Sequence, residues 1–158
     1  MRKILILALM AFAFVLGSLS LSAASAHDDD DDDDGGLKLT AVSNQFKEFD
    51  AAPKGMSLGD YFVFSDTLWE DGDRVGSLDG FCLITYVKNS THHEQCTVTV
   101  SLSGGQMTSQ GVIVIDKDFD NKFTIAITGG TGDYKGAEGE AYVEFLSETK
   151  TSIHVNLD

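Results

Sequence analysis

The sequence predicts an all-β domain, an eight-stranded antiparallel β-barrel, and three observations carry that expectation. Apolar residues recur at every second position over short runs, Gly, Asn or Asp interrupts the runs about every dozen residues, and eight such runs fall between residues 37 and 158. An even number of antiparallel strands can close on itself and leave no unpaired edge, which favours a barrel over a sandwich.

The chain opens on a signal peptide pattern over residues 1–26. Arg2 and Lys3 supply the charge, Ile4 to Leu16 the apolar core, and Ala24-Ser25-Ala26 the small-residue cleavage site. The expectation is a secreted, extracellular protein, periplasmic where the source has an outer membrane, with a mature chain beginning near His27. The apolar run is too short and wrongly flanked for a membrane span, and no cysteine stands at the cleavage point to take a lipid. Residues 27–36, HDDDDDDDGG, read as an acidic disordered tail, because like charges at successive positions oppose compaction. These aspartates lack the spacing and turn glycine of a calcium loop, so no metal and no cofactor is assigned to them. Arg2 and Lys3 leave with the signal, so nine of the 11 basic residues face 25 acidic ones, a formal charge of −16 against −14 for the whole chain. Such a surface repels nucleic acid and anionic membranes, and neither is expected as a partner.

Residues 37–158 then form one domain with its own core. The first strand is expected over 38–46, and the only proline, Pro53, falls in the link to the second, 59–69. There Phe62, Phe64, Asp66 and Leu68 share one face and Tyr61, Val63, Ser65, Thr67 and Trp69 the other. Aromatics on both faces predict contact with a neighbouring subunit as well as with the interior. The next two strands, 74–87 and 93–103, place Cys82 and Cys96 symmetrically about Asn89. A hairpin turning through Lys88, Asn89 and Ser90 sets the two cysteines opposite each other, and in an oxidising compartment an even pair reads as a structural disulfide. Asn89-Ser90-Thr91 is also a glycosylation sequon in a eukaryotic host. Strands follow over 106–115 and 122–128, and the latter runs into Gly129, Gly130 and Gly132. A phosphate loop needs a helix after such glycines. Instead the alternation resumes through Ala141, Val143 and Phe145, so the segment is a strand, a tight corner and a strand over 139–146. The last strand, 150–157, alternates Ile153, Val155 and Leu157 with Ser152, His154 and Asn156.

Catalytic and metal motifs with fixed spacing are absent from the sequence: no HExxH, no cysteine-rich zinc pattern and no GxSxG elbow occurs. His92 and His93 are adjacent and would point to opposite faces of a strand, so they cannot share a metal.

Four blocks in order carry a resemblance: SLGDYFVFSDTLW (Ser57 to Trp69), DRVGSLDGFC (Asp73 to Cys82), GGQMTSQG (Gly104 to Gly111) and AITGGTGDYKGAEGEA (Ala126 to Ala141). The chain resembles the allene oxide cyclase-like barrel family, related in fold to dirigent proteins. The resemblance implies an eight-stranded antiparallel barrel with an apolar lumen, commonly a homotrimer, that binds a small apolar molecule. Plant members cyclise an unstable epoxide of a fatty acid, dirigent relatives guide the stereochemistry of phenoxy-radical coupling, and bacterial relatives include cyclases. By position, the resemblance puts Phe62, Phe64 and Asp66 on the lumen face, matches Cys82 to a lumen cysteine, and aligns Pro53 with a water-holding proline. The family's upstream glutamate falls on Asn44, a nearby asparagine on Phe46 and a lumen tyrosine on Ile113, which removes the carboxylate expected to stabilise positive charge in plant-type chemistry.

The candidate ligand-binding set is therefore Phe62, Phe64, Pro53, Cys82, Tyr86 and Ile113, with Tyr142 as a further polar point. Asp66 is the candidate catalytic residue. On an apolar face its proton affinity rises and suits a general acid or base, while at a strand end it would be solvated or paired with Arg74. Two function classes remain: a secreted cyclase, isomerase or dirigent-like stereochemical guide, and a non-catalytic extracellular carrier or structural barrel module. A lipocalin or avidin-like carrier fold is the structural alternative, although Trp69 lacks the early glycine-tryptophan pattern of lipocalins.

Overall fold

Eight strands form where the alternation places them, in a computed structural model that describes residues 36–158. The expected signal peptide and all of the acidic tail but Gly36 lie outside the described residues. The strands are β1 (Leu37–Phe49), β2 (Tyr61–Glu70), β3 (Asp73–Lys88), β4 (Thr91–Leu102), β5 (Gly105–Ile115), β6 (Lys122–Gly130), β7 (Gly139–Ser147) and β8 (Lys150–Leu157). Each pairs antiparallel with its neighbour in sequence, and β1 pairs with β8, so the sheet closes into a barrel with no free edge. β2 begins at Tyr61, two residues later than the alternation suggested. Asp60 is held in the preceding loop, accepting hydrogen bonds from the N–H of Ala51 (2.8 Å) and of Ser57 (2.7 Å).

Inward positions build the core: Leu39, Leu68, Met107 and Val155 are almost wholly buried at the end where β1 begins. The glycine-rich corner caps that end as a 3₁₀ turn, Gly132–Tyr134, after β6. Its Asp133 N–H donates to the Gly104 carbonyl (2.9 Å) and its Thr131 N–H to the Gln106 carbonyl (2.8 Å), docking it onto the β4–β5 hairpin. Gly132 sits at φ 61°, and a Cβ there would run into the Gly104 carbonyl oxygen. Close backbone approach accounts for glycine here.

The register shifts at five places among the paired strands, and two of these bulges decide where predicted site residues face. In β1 the register shifts between Ser43 and Gln45, leaving Asn44 unpaired, and in β3 it shifts between Ile84 and Tyr86, leaving Thr85 unpaired. Beyond each bulge the inward parity reverses.

Candidate functional site

Inside the barrel is a cavity of about 450 Å³, open at the end where β1, β3, β5 and β7 finish. The other end is closed by Leu39 and Leu68. Its walls are mainly aliphatic: Ile113, Ile125, Ile127, Val98 and Val100 come from β4, β5 and β6. Aromatic rings gather toward the mouth. Phe62 lies 5.5 Å from Phe46 and 6.1 Å from Phe64, and on the opposite wall Phe123 lies 5.5 Å from Phe145, centroid to centroid. The Phe64 ring lies over Gly80, where a Cβ would fall 2.6 Å from Cζ, so the absence of a side chain on β3 lets that ring lie against the wall.

Asp66 lies deeper, on β2 opposite Ser43 and Leu78, and faces the cavity. The N–H of Asn44, the residue freed by the β1 bulge, donates to its carboxyl. Burial pushes the Asp66 carboxyl above the usual aspartate range, and Asp79 on the neighbouring strand pushes it further. The Asn44 hydrogen bond opposes both and does not outweigh them. The result is a half-buried carboxyl with raised proton affinity, fixed by one backbone donor in an apolar chamber. Arg74 is not its partner, because it stands opposite Trp69 near the β2–β3 turn and does not line the cavity.

Phe62, Phe64, Cys82 and Ile113 line the cavity. Cys82 and Cys96 are paired across β3 and β4 with Cα atoms 4.1 Å apart and form the disulfide. A Glu94 carboxylate oxygen lies within 4.8 Å of both sulfurs. Because the sulfurs are bonded to each other, this is a disulfide with an acid beside it and not a thiolate metal set.

Three of the sequence-predicted positions lie elsewhere. Tyr86 does not line the cavity: the bulge at Thr85 turns it to the outer surface, where its ring lies 4.5 Å from that of His93. Pro53 belongs to the exposed loop after β1 and also lies off the cavity wall. Tyr142 alternates with the inward Ala141 and Val143, so it faces outward and its hydroxyl donates to Glu140 Oε2 (3.3 Å).

The largest departure concerns carboxylates. Glu48, Glu94 and Glu148 all line the cavity, so carboxylates stand in the lumen although the alignment at Asn44 had removed the family's glutamate. Glu48 and Phe46 face inward because the Asn44 bulge reverses their parity. Glu94 shares the parity of Cys96, Val98 and Val100, so its placement could have been read from the sequence. Glu94 also meets His92 Nε2 at 3.0 Å through Oε1. Ser109, buried on β5, adds a hydroxyl to the wall.

Comparison with known proteins agrees with this architecture. The chain is similar over 78% of its length, at 30% identity and with a TM-score of 0.70, to a solved structure of a pyocyanin demethylase, of which it covers 99%. The Diels Alderase AbmU from Streptomyces koyangensis shares the fold at 18% identity and a TM-score of 0.65, over 77% of this chain and 67% of that one. A pterocarpan synthase dirigent protein does so at 18% identity and a TM-score of 0.59, over 76% and 84%. A search of curated proteins found no match. The family model of the allene oxide cyclase barrel like domain matches residues 40–157, nearly the whole of the closed barrel, and the chain belongs to that family.

Proposed function

We propose that this is a secreted small-molecule enzyme, a cyclase, isomerase or stereochemical guide that works inside the lumen. One observation carries the reading: an apolar chamber of about 450 Å³, open at one end, holds a half-buried carboxyl of raised proton affinity on its wall. A chamber of that size suits a small ligand of a few fused rings. The apolar walls fold the substrate and exclude water, so reaction proceeds by proximity within a fixed conformation. Asp66 supplies a proton to, or takes one from, the reacting atoms, and the Asn44 N–H holds it in place. The phenylalanines near the mouth offer ring faces to a planar substrate.

The relatives support small-molecule chemistry here, since they include a pyocyanin demethylase, a Diels Alderase and a dirigent protein. A purely structural module is disfavoured because a structural barrel gains nothing from an unfilled centre. A homotrimer fits the outer surface. Tyr61, Val63, Phe81, Leu83, Val112 and Val114 are exposed on β2, β3 and β5 and would be covered by neighbouring copies.

The test is native mass spectrometry of the protein purified from its producer, followed by identification of any retained compound. A trimer carrying a stoichiometric apolar molecule is the expected result, with turnover of that compound or its precursor lost in Asp66→Asn. An empty protein that also fails to bind a panel of apolar fluorescent probes would overturn the reading.

A further inference from the structure

Every charged side chain on the cavity wall has the same sign. Asp66 lies within, and Glu48, Glu94 and Glu148 stand toward the mouth; among the described residues no lysine or arginine lines the chamber. A side recess of about 270 Å³ shares Glu48, Phe62 and Glu94 with the main cavity and adds Asp50 and Asp60. Of the basic groups at this end of the barrel, three are engaged elsewhere, and Lys54, Lys88 and Lys150 line neither the chamber nor the recess. Lys117 bonds Asp118, Lys122 pairs with Glu144 at 3.3 Å, and Lys47 lies over the Phe49 ring. His92 contacts the wall residue Glu94. The Asp66 carboxyl also has Asp79 on the neighbouring strand.

Resting on the reading of the lumen as a binding site, we infer that it selects a cationic aromatic molecule over an anionic one. A carboxylate-bearing substrate would enter between Glu48, Glu94 and Glu148 and then face Asp66, with no side-chain cation to replace its lost hydration. A positively charged ring system meets the reverse situation. Its charge is neutralised at the mouth, and its plane lies against Phe46, Phe62 and Phe64, whose faces attract cations. Fatty-acid carboxylates, the substrate type of the plant cyclases, are thereby disfavoured. The substrate class assigned is a planar, positively charged or protonatable aromatic compound.

Three probes of one ring skeleton test this: acridine, N-methylacridinium and an acridine carboxylate, titrated fluorimetrically into the mature protein at pH 8, where an ordinary imidazole is neutral. Acridine is uncharged under these conditions and reports on the chamber itself. The expected result is that all cation binding competes with acridine, and that the cation binds on the order of tenfold or more tightly than the carboxylate. The preference shrinks as salt rises, because Glu48 and Glu148 at the mouth are exposed. In a Glu48→Gln/Glu94→Gln variant the cation-to-anion ratio falls toward one. Acridine bound with equal or better affinity for the carboxylate would overturn the inference and leave the lumen reading standing. So would cation binding that fails to displace acridine, which places the cation on the acidic exterior. Failure of all three probes would remove the binding site and the inference together.

Discussion

Reducing the Cys82–Cys96 disulfide provides a stability test whose size follows from the chain. The two residues are 14 apart in sequence and stand opposite each other in the β3–β4 register. Closing a loop of that length removes about 3 kcal/mol of conformational freedom from the unfolded chain. For a domain of this size each kcal/mol moves the melting point by roughly 3–6 °C, so reduction should lower Tm by on the order of 10–15 °C. Reduction leaves both sulfurs in their buried positions and so isolates the cross-link. Cys82→Ala/Cys96→Ala also removes packing from two nearly inaccessible sites and should fall further. The assay is thermal unfolding of the mature protein with and without a dithiol reductant, each sample checked by a thiol count. A fully reduced protein melting within about 3 °C of the oxidised one would refute the entropic argument. The unfolded hairpin would then have to be nearly as constrained without the bond as with it.

Three further outcomes are expected. Because the folded carboxyl of Asp66 titrates above its unfolded value of 3.8, the native protein holds a proton that the unfolded chain releases between the two. Stability therefore falls as pH rises through that window and stays lower above it. Asp66→Asn should accordingly gain stability over the parent only above the window, and a difference in urea midpoints that does not vary with pH would contradict this. Leu68→Ala, at a side chain with no exposure in the closed end of the barrel, should cost about 2–5 kcal/mol by urea unfolding; a loss near zero would mean that this end is loosely packed. Gly136→Ala, at φ 80° with open space around it, should cost about 1 kcal/mol, while Gly132→Ala meets the Gly104 carbonyl as well and should cost more. Equal losses in the two melts would contradict the close packing of the corner.

Parity made most of the fold legible. Strands such as 122–128 and 150–157 alternate so regularly that their inward residues could be named from the sequence, while it was the family resemblance that pointed Phe62, Phe64, Cys82 and Ile113 to the lumen they line. Parity fails wherever one extra residue enters a strand. Thr85 sends Tyr86 outward, and Asn44 brings Phe46 and Glu48 inward while directing its own N–H to Asp66. Neither position is glycine, and the alternation around Thr85 keeps strand-forming residues, so only the strand-disfavouring Asn44 hints at a break. Pro53 was out of reach for a different reason. Its place depends on how the loop folds around Asp60, and that is set by hydrogen bonds with no periodic signature.

The hollow itself is encoded in residue size, which hydrophobic alternation does not register. An eight-stranded barrel is just wide enough for side chains to fill, and at the closed end Leu39, Leu68, Met107 and Val155 do so. Toward the middle, many wall positions are small. Ala41, Ser43, Ser109 and Ala141 line the cavity, and Gly80 and Gly111 stand on the same inward parity, the first beneath Phe64 and the second beneath Ile125. An apolar reading counts alanine with isoleucine and passes over glycine, so it describes a filled barrel and an empty one alike. The absent volume leaves this barrel hollow, with carboxylates bordering the hollow. Enlarging the small positions should therefore fill the cavity before it unfolds the protein, because the strands that carry them are held by their ladders and by the packed end below.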